Sequence, residues 1–216
     1  MPIYWIWLTK LKGLSLPERL WLLQNFADPE EIYLAEPKLF PGGIGNALED
    51  KDLTQARQIA ALCSEESIRI LTYADADYPE KLRNIENPPL VLYCKGKLPN
   101  WKAQPVIGVV GTRKASPYGL HTAKLLSAQI AVCGGLVVSG AASGIDTAAM
   151  EGALDVGCPT VGVLGGGVDV VYPASNRSLY SRTEEQGCLI SEYPPGARPF
   201  PSQFLQRNRI ISGLSD

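Results

Sequence analysis

Four short stretches of this chain hold the residues that could do chemistry. They are Gly111-Thr112-Arg113-Lys114, "SGAASG" from Ser139 and Gly140 to Ser143 and Gly144, Gly165-Gly166-Gly167, and Arg207-Asn208-Arg209. Glycine loops let main-chain N–H groups come close to an anion, and helices that start after them add partial positive charge. Arginine presents a planar fork that suits a pair of phosphate oxygens. Together they predict a rim that holds phosphate. Cleavage is not predicted, because Ser139 and Ser143 lack a histidine to activate them, and Asp146 reads as a cap in the first turn of a helix. No GxGxxG follows the first strand and no GxxxxGK[ST] occurs, so no nucleotide cofactor is expected. The single histidine, His121, reads as a surface or packing residue in a helical pattern, and the scattered cysteines contain no CxxC pair. No metal set is predicted.

A second group lies in "GARPFPSQFLQRNRIISG", where Arg198, Arg207 and Arg209 alternate with Phe200 and Phe204. Cations that track a backbone beside rings that stack on bases are the pattern a single nucleic-acid strand requires. The bland alternative is a loop with two core phenylalanines and solvated arginines.

The elements that must position these residues follow from periodicity. Residues 1–72 read as short helices in a small all-helical domain of SAM or helix-hairpin-helix type. Ser15-Leu16-Pro17-Glu18 fits a capping box, Asp28-Pro29-Glu30-Glu31 repeats the start signal, and Leu53, Ala56, Ile59, Ala60 and Cys63 fall at helical spacing. "LFPGGIGNALED" reads as a glycine turn between helices. Residues 73–104 read as a connecting segment with a short strand, Leu90–Tyr93, and another strand is expected at Ile68–Leu71. From residue 105 to 216 strands at Val106–Val110, Leu136–Ser139, Thr160–Leu164 and Cys188–Glu192 alternate with helices. That order predicts an α/β class, a Rossmann-like parallel sheet covered on both faces, with the chemistry at the carboxyl ends of its strands. A last helix through "FLQRNRIISGLSD" would leave Ile210, Ile211 and Leu214 short of partners, so this domain is expected to be incomplete.

Composition sets limits. The 216 residues are 45% hydrophobic and 19% charged, with a net charge of -2, which excludes a protein that coats nucleic acid by bulk electrostatics. Acidic residues exceed basic ones 14 to 11 over residues 1–100, but basic exceed acidic 9 to 8 over 101–216, so any anion site must be local. "MPIYWIWL" is too short to span a bilayer. The five cysteines are odd in number, and free thiols in the cytoplasm are expected.

Two family resemblances bear on function. "PGGIGNALED" is similar to the PGGxGTxxE signature of LOG-type nucleotide phosphoribohydrolases, whose glutamate would fall on Glu49. Here Asn46 replaces the threonine, and the motif precedes every βαβ unit. A glycine turn there could alternatively aim its amides at a nucleic-acid phosphate. More extensive is the second resemblance. "YPEKLRNIENPPLVLYCKG", "VGTRKASPYG", "VVSGAASGIDTAAMEGAL", "VLGGGVDVVYPASNRSLY" and "LISEYPPGARPFPSQFLQRNRIISGLS" resemble the DprA/Smf family, in order, over about residues 68–216.

This second resemblance implies a non-catalytic protein that protects incoming single-stranded DNA in natural transformation, loads the RecA recombinase onto it, and acts as a homodimer. It implies that the Gly-Ser/Thr-Arg motif is Gly111, Thr112 and Arg113, and that the Arg-Asn-Arg-Ile motif is Arg207, Asn208, Arg209 and Ile210. The family's "SGLARGIDAAAH" reads "SGAASGIDTAAM" here, so Ser143 replaces a commonly basic residue and Met150 a histidine. One phosphate contact fewer is expected.

Overall fold

Two helices of the N-terminal part, Leu16–Asn25 and Pro29–Leu34, begin where the sequence supplies a start signal. In the computed structural model, which describes residues 1–216, α1 (Pro2–Lys10) and α2 (Leu16–Asn25) are followed by α3 (Pro29–Leu34), α4 (Gly42–Leu48) and α5 (Thr54–Glu65). Ser15 and Glu18 form the reciprocal capping box, and Asp28 Oδ1 accepts from the N–H groups of Glu30 and Glu31 at 2.7 and 3.2 Å. Ile6, Leu8, Leu22, Ile32 and Leu48 are fully buried at the centre of this part. The segment expected to be a glycine turn is instead α4. Ile44 and Leu48, one helical turn apart, give it a buried stripe that a turn would not need. Glu49, at its C-terminal end, is exposed.

The chain divides into two units, Met1–Ser64 and Glu65–Asp216. The second holds β1 (Arg69–Thr72), α6 (Glu80–Arg83), β2 (Val91–Gly96), β3 (Val106–Gly108), α7 (Pro117–Val132), β4 (Leu136–Ser139), α8 (Ile145–Asp155), β5 (Thr160–Val163), α9 (Arg177–Gln186), β6 (Cys188–Ser191) and α10 (Pro201–Leu214). They build one six-stranded sheet in the order β1-β2-β6-β5-β4-β3. Strands β3 to β6 are parallel, whereas β2 runs antiparallel to β6 and β1 antiparallel to β2. The parallel sheet read from the sequence is thus part of a mixed one. The stretch read as a connection supplies an edge hairpin, because Val91–Cys94 are buried and the main chain of Tyr93–Gly96 pairs with Ser191 to Cys188.

Parallel crossovers take the right-handed form, so three in succession without a reversal of strand order put α7, α8 and α9 on one face. Side chains alternate accordingly. Val137 packs with Ala131, Ala149 and Ala153 of α7 and α8, while its neighbours Leu136 and Val138 join the opposite core with Leu82 of α6. Helix α10 closes that opposite core. Ile210, Ile211 and Leu214 are 1%, 4% and 1% exposed, so they have the partners the sequence reading had denied them. Ile107 and Gly108 lie on the outer strand, and Asp216 bonds beside them, its N–H donating to the Val106 carbonyl at 2.8 Å.

If α10 is core rather than appendage, Ile210→Ala should destabilise the chain by about 2–5 kcal/mol. Chemical unfolding of the two proteins checks this, and a loss near zero would mean that α10 is detachable.

Candidate nucleic-acid interface

The carboxyl ends of β3 and β4 are tied together by one buried carboxylate. Asp146, in the first turn of α8, accepts the Gly111 N–H at Oδ1 (3.2 Å) and the Gly140 N–H at Oδ2 (3.1 Å). Its counter-charge is Arg207 of α10, whose Nη1 donates to the Gly140 carbonyl at 2.7 Å and to the Val163 carbonyl. Both side chains are only 4% exposed. Burial pushes the Asp146 carboxyl above its ordinary range and pulls Arg207 below its own, and their mutual attraction opposes both shifts. Only glycine fits at position 140, since a Cβ there would lie 2.4 Å from Arg207 Nη2 and 2.5 Å from Asp146 Oδ2.

These bonds revise the sequence reading of the glycine loops. The Gly111 and Gly140 amides are directed at Asp146, so this carboxylate sits where an incoming phosphate was expected. Nor is Asp146 the cap of α8, because the N-cap is Gly144. Ser139 is fully buried, with its hydroxyl donating to the Val109 carbonyl at 2.6 Å. Gly165 and Gly166 are buried as well, and a Cβ on either would strike Phe204 (2.9 Å) or the Ala197 carbonyl (2.9 Å). Close packing is their physical reason.

What remains on the surface is a smaller set. Gly144, at a φ of 86°, brings its backbone so near the first loop that a Cβ would sit 2.3 Å from the Thr112 carbonyl. This close approach seats Thr112, Arg113 and Lys114 at the start of α8, all three exposed. The Arg113 guanidinium lies over the Phe204 ring, 4.8 Å from its centroid. The half-exposed Tyr172 stands 5.5 Å from the same ring, tilted by 36°. Ser143 is half-buried and Asn208 exposed. Arg209 is directed elsewhere, with Nη2 holding both Glu192 carboxylate oxygens at 2.7 Å, and burial raises the pKa of Glu192 against that pairing.

Of the fourteen residues predicted for the rim, the structure therefore brings Arg113 and Phe204 into direct contact, with Thr112 and Lys114 beside them. It places Ser139, Gly140, Gly165, Gly166 and Arg207 beneath the surface. Tyr172 was missed. Its signal was an aromatic residue in the loop that follows a strand's carboxyl end, next to a proline.

An α/β sheet whose parallel strands end on one rim defines a Rossmann-like fold. Sequence comparison narrows the class. The DNA recombination-mediator protein A family matches residues 69–216, and the chain belongs to that family. It is 34% identical to protein Smf of Synechocystis over 98% of this chain and 56% of the relative, and 36% identical to the DNA processing protein DprA of Bacillus subtilis over 74% and 54%. The chain thus spans about half the length of these curated relatives. Among solved structures, DNA processing protein A of Streptococcus pneumoniae superposes with a TM-score of 0.78 at 31% identity, covering 100% of this chain and 76% of that one. The protein of the same name from Helicobacter pylori, solved to describe its single-stranded DNA binding mode, gives 0.62 at 29% identity over 70% and 68%.

The Asp146 linkage has a pH signature. With the folded pKa above the unfolded one, the folded chain holds a proton that the unfolded chain has lost. That part of the stability is full below about pH 3.9 and declines as the pH rises through the folded value. Urea melts across this window should show the decline in the parent protein. Asp146→Asn, which has no proton to lose there, should lack that part of the slope. An identical pH slope in both proteins would contradict the assignment.

Proposed function

We propose that this chain binds single-stranded DNA on the Arg113–Phe204–Tyr172 surface and carries out no covalent chemistry on it. The observation that carries the reading is the guanidinium stacked at 4.8 Å on a ring that a second, half-exposed aromatic flanks. Such a surface offers a base two rings to stack on and sets a cation beside them for the backbone phosphate. Thr112 and Lys114, exposed at the start of α8, add a hydroxyl, a charge and a helix N-terminus to the same place. Family membership supports this reading, as does the Helicobacter pylori relative described by its single-strand binding mode. On the same support we assign the chain to DNA processing in natural transformation, protecting the strand for delivery to a RecA-type recombinase, with the protein acting as a homodimer.

The site residues divide by role in this reading. Arg113 and Lys114 meet phosphate, while Phe204 and Tyr172 stack. Gly111, Gly140, Gly144, Gly165 and Gly166 shape the rim, and Ser139 and Arg207 brace it from below. Ser143 and Asn208 flank it, and Arg209 stays with Glu192. The "PGGIGNALED" segment lies in the N-terminal unit, with Glu49 on a short helix rather than at a strand end. No observation favours the hydrolase alternative.

Fluorescence anisotropy with a labelled oligothymidine tests the reading. Arg113→Ala should weaken binding and reduce the slope of log affinity against log salt by about 0.7, one single-strand phosphate contact. Tyr172→Ala and Phe204→Ala should each cost about 1–3 kcal/mol with the salt slope nearly unchanged. Affinity indifferent to all three substitutions would refute the surface.

A further inference from the structure

Beside the rim a concavity opens between α7 and α8, with a volume of about 430 Å³. Arg113 and Lys114 line the end that adjoins the rim, His121 and Lys124 come from α7, and Glu151 comes from α8. Three permanent cations therefore face one carboxylate, in a chain whose net charge is -2. The two helices that form its walls are held in a fixed crossing. A Cβ at Gly152 would sit 2.2 Å from the Lys124 carbonyl, so the backbones touch there and the position of Lys124 is set by the fold.

Lys124 is paired with Asp155 at 2.6 Å, yet Asp155 also holds Arg182 at 2.7 Å. The lysine can turn toward another anion without leaving that carboxylate unpaired. Its side chain is 47% exposed, so the exchange needs little desolvation. Lys114 and His121 are exposed along the same groove. Because Arg113 belongs both to the rim and to this groove, a strand leaving the rim meets the groove next.

We propose that the α7–α8 groove holds the backbone of nucleotides that continue beyond the rim, with Lys124 as its own phosphate contact and Lys114 shared with the rim at the junction. The inference rests on the single-strand reading of the rim and extends its footprint. The groove adds charge contacts without added rings, so it should be read by salt dependence rather than by base identity.

A length series separates the two sites. For a twenty-nucleotide oligothymidine, Lys124→Gln should lower the salt slope by about 0.7, and the Lys114→Gln/Lys124→Gln pair by about twice that. For a four-nucleotide oligomer bound at the rim, Lys124→Gln should change nothing. Glu151→Gln removes the opposing carboxylate and should tighten binding of the long oligomer only, a gain that a folding defect cannot imitate. A long-oligomer slope unmoved by Lys124→Gln and by the double variant, together with no gain from Glu151→Gln, overturns the groove. That outcome leaves the rim intact if Arg113→Ala still weakens the short oligomer. Conversely, a short oligomer indifferent to Arg113→Ala removes the rim, on which the extension depends.

Discussion

A carboxylate and a guanidinium, both taken out of water, determine what this surface can offer a ligand. Asp146 accepts the two strand-end amides of Gly111 and Gly140, and Arg207 bonds the carbonyls of Gly140 and Val163. Separating such a pair by removing one partner costs about 3–5 kcal/mol, because the survivor is left buried and uncompensated. The pair therefore cannot serve as a binding site without dismantling the ends of three strands. Its position is structural: it fixes where β3 and β4 stop, and hence where the exposed loop Thr112–Lys114 begins.

From that constraint follows a division of labour among the arginines. Arg207 is internal, Arg209 neutralises Glu192, and Arg113 stands outside on Phe204. Helix α10 links the two halves of the arrangement. Phe204 and Arg207 lie three residues apart on one helical face, so the residue that braces the strand ends also holds the stacking ring in register. Ile210, Ile211 and Leu214 continue the same helix into the core and anchor it. The Phe204 ring thus stands on a rigid element, while Arg113 and Tyr172 reach it from loops.

Much of this was legible in the residues. The parallel strands and their helices follow from short apolar runs alternating with capped amphipathic stretches, and Arg113 was singled out by its place at a strand end. Two features were not legible, for a common reason. The edge hairpin β1–β2 depends on pairing between Val91–Gly96 and Cys188–Ser191, and no local pattern shows which distant strand a segment will join. The Gly111 amide that Asp146 accepts likewise lies thirty-five residues away in the chain, so a carboxylate in a first turn reads as a cap when it is a tie. Glycines mislead in the same way. Freedom of backbone approach is common to phosphate loops and to tight packing, and only the neighbours of Gly140, Gly165 and Gly166 tell the two apart.

The central claim is that one arginine faces the ligand while its neighbour in the motif pattern faces inward. Nitrogen-detected spectra of the arginine side chains, recorded while an oligothymidine is titrated into the protein, address it directly. The Arg113 Nε signal should shift with saturating dependence on the oligomer, and the Arg207 signal should stay at its starting position. Movement of Arg207 with a stationary Arg113 would contradict the account.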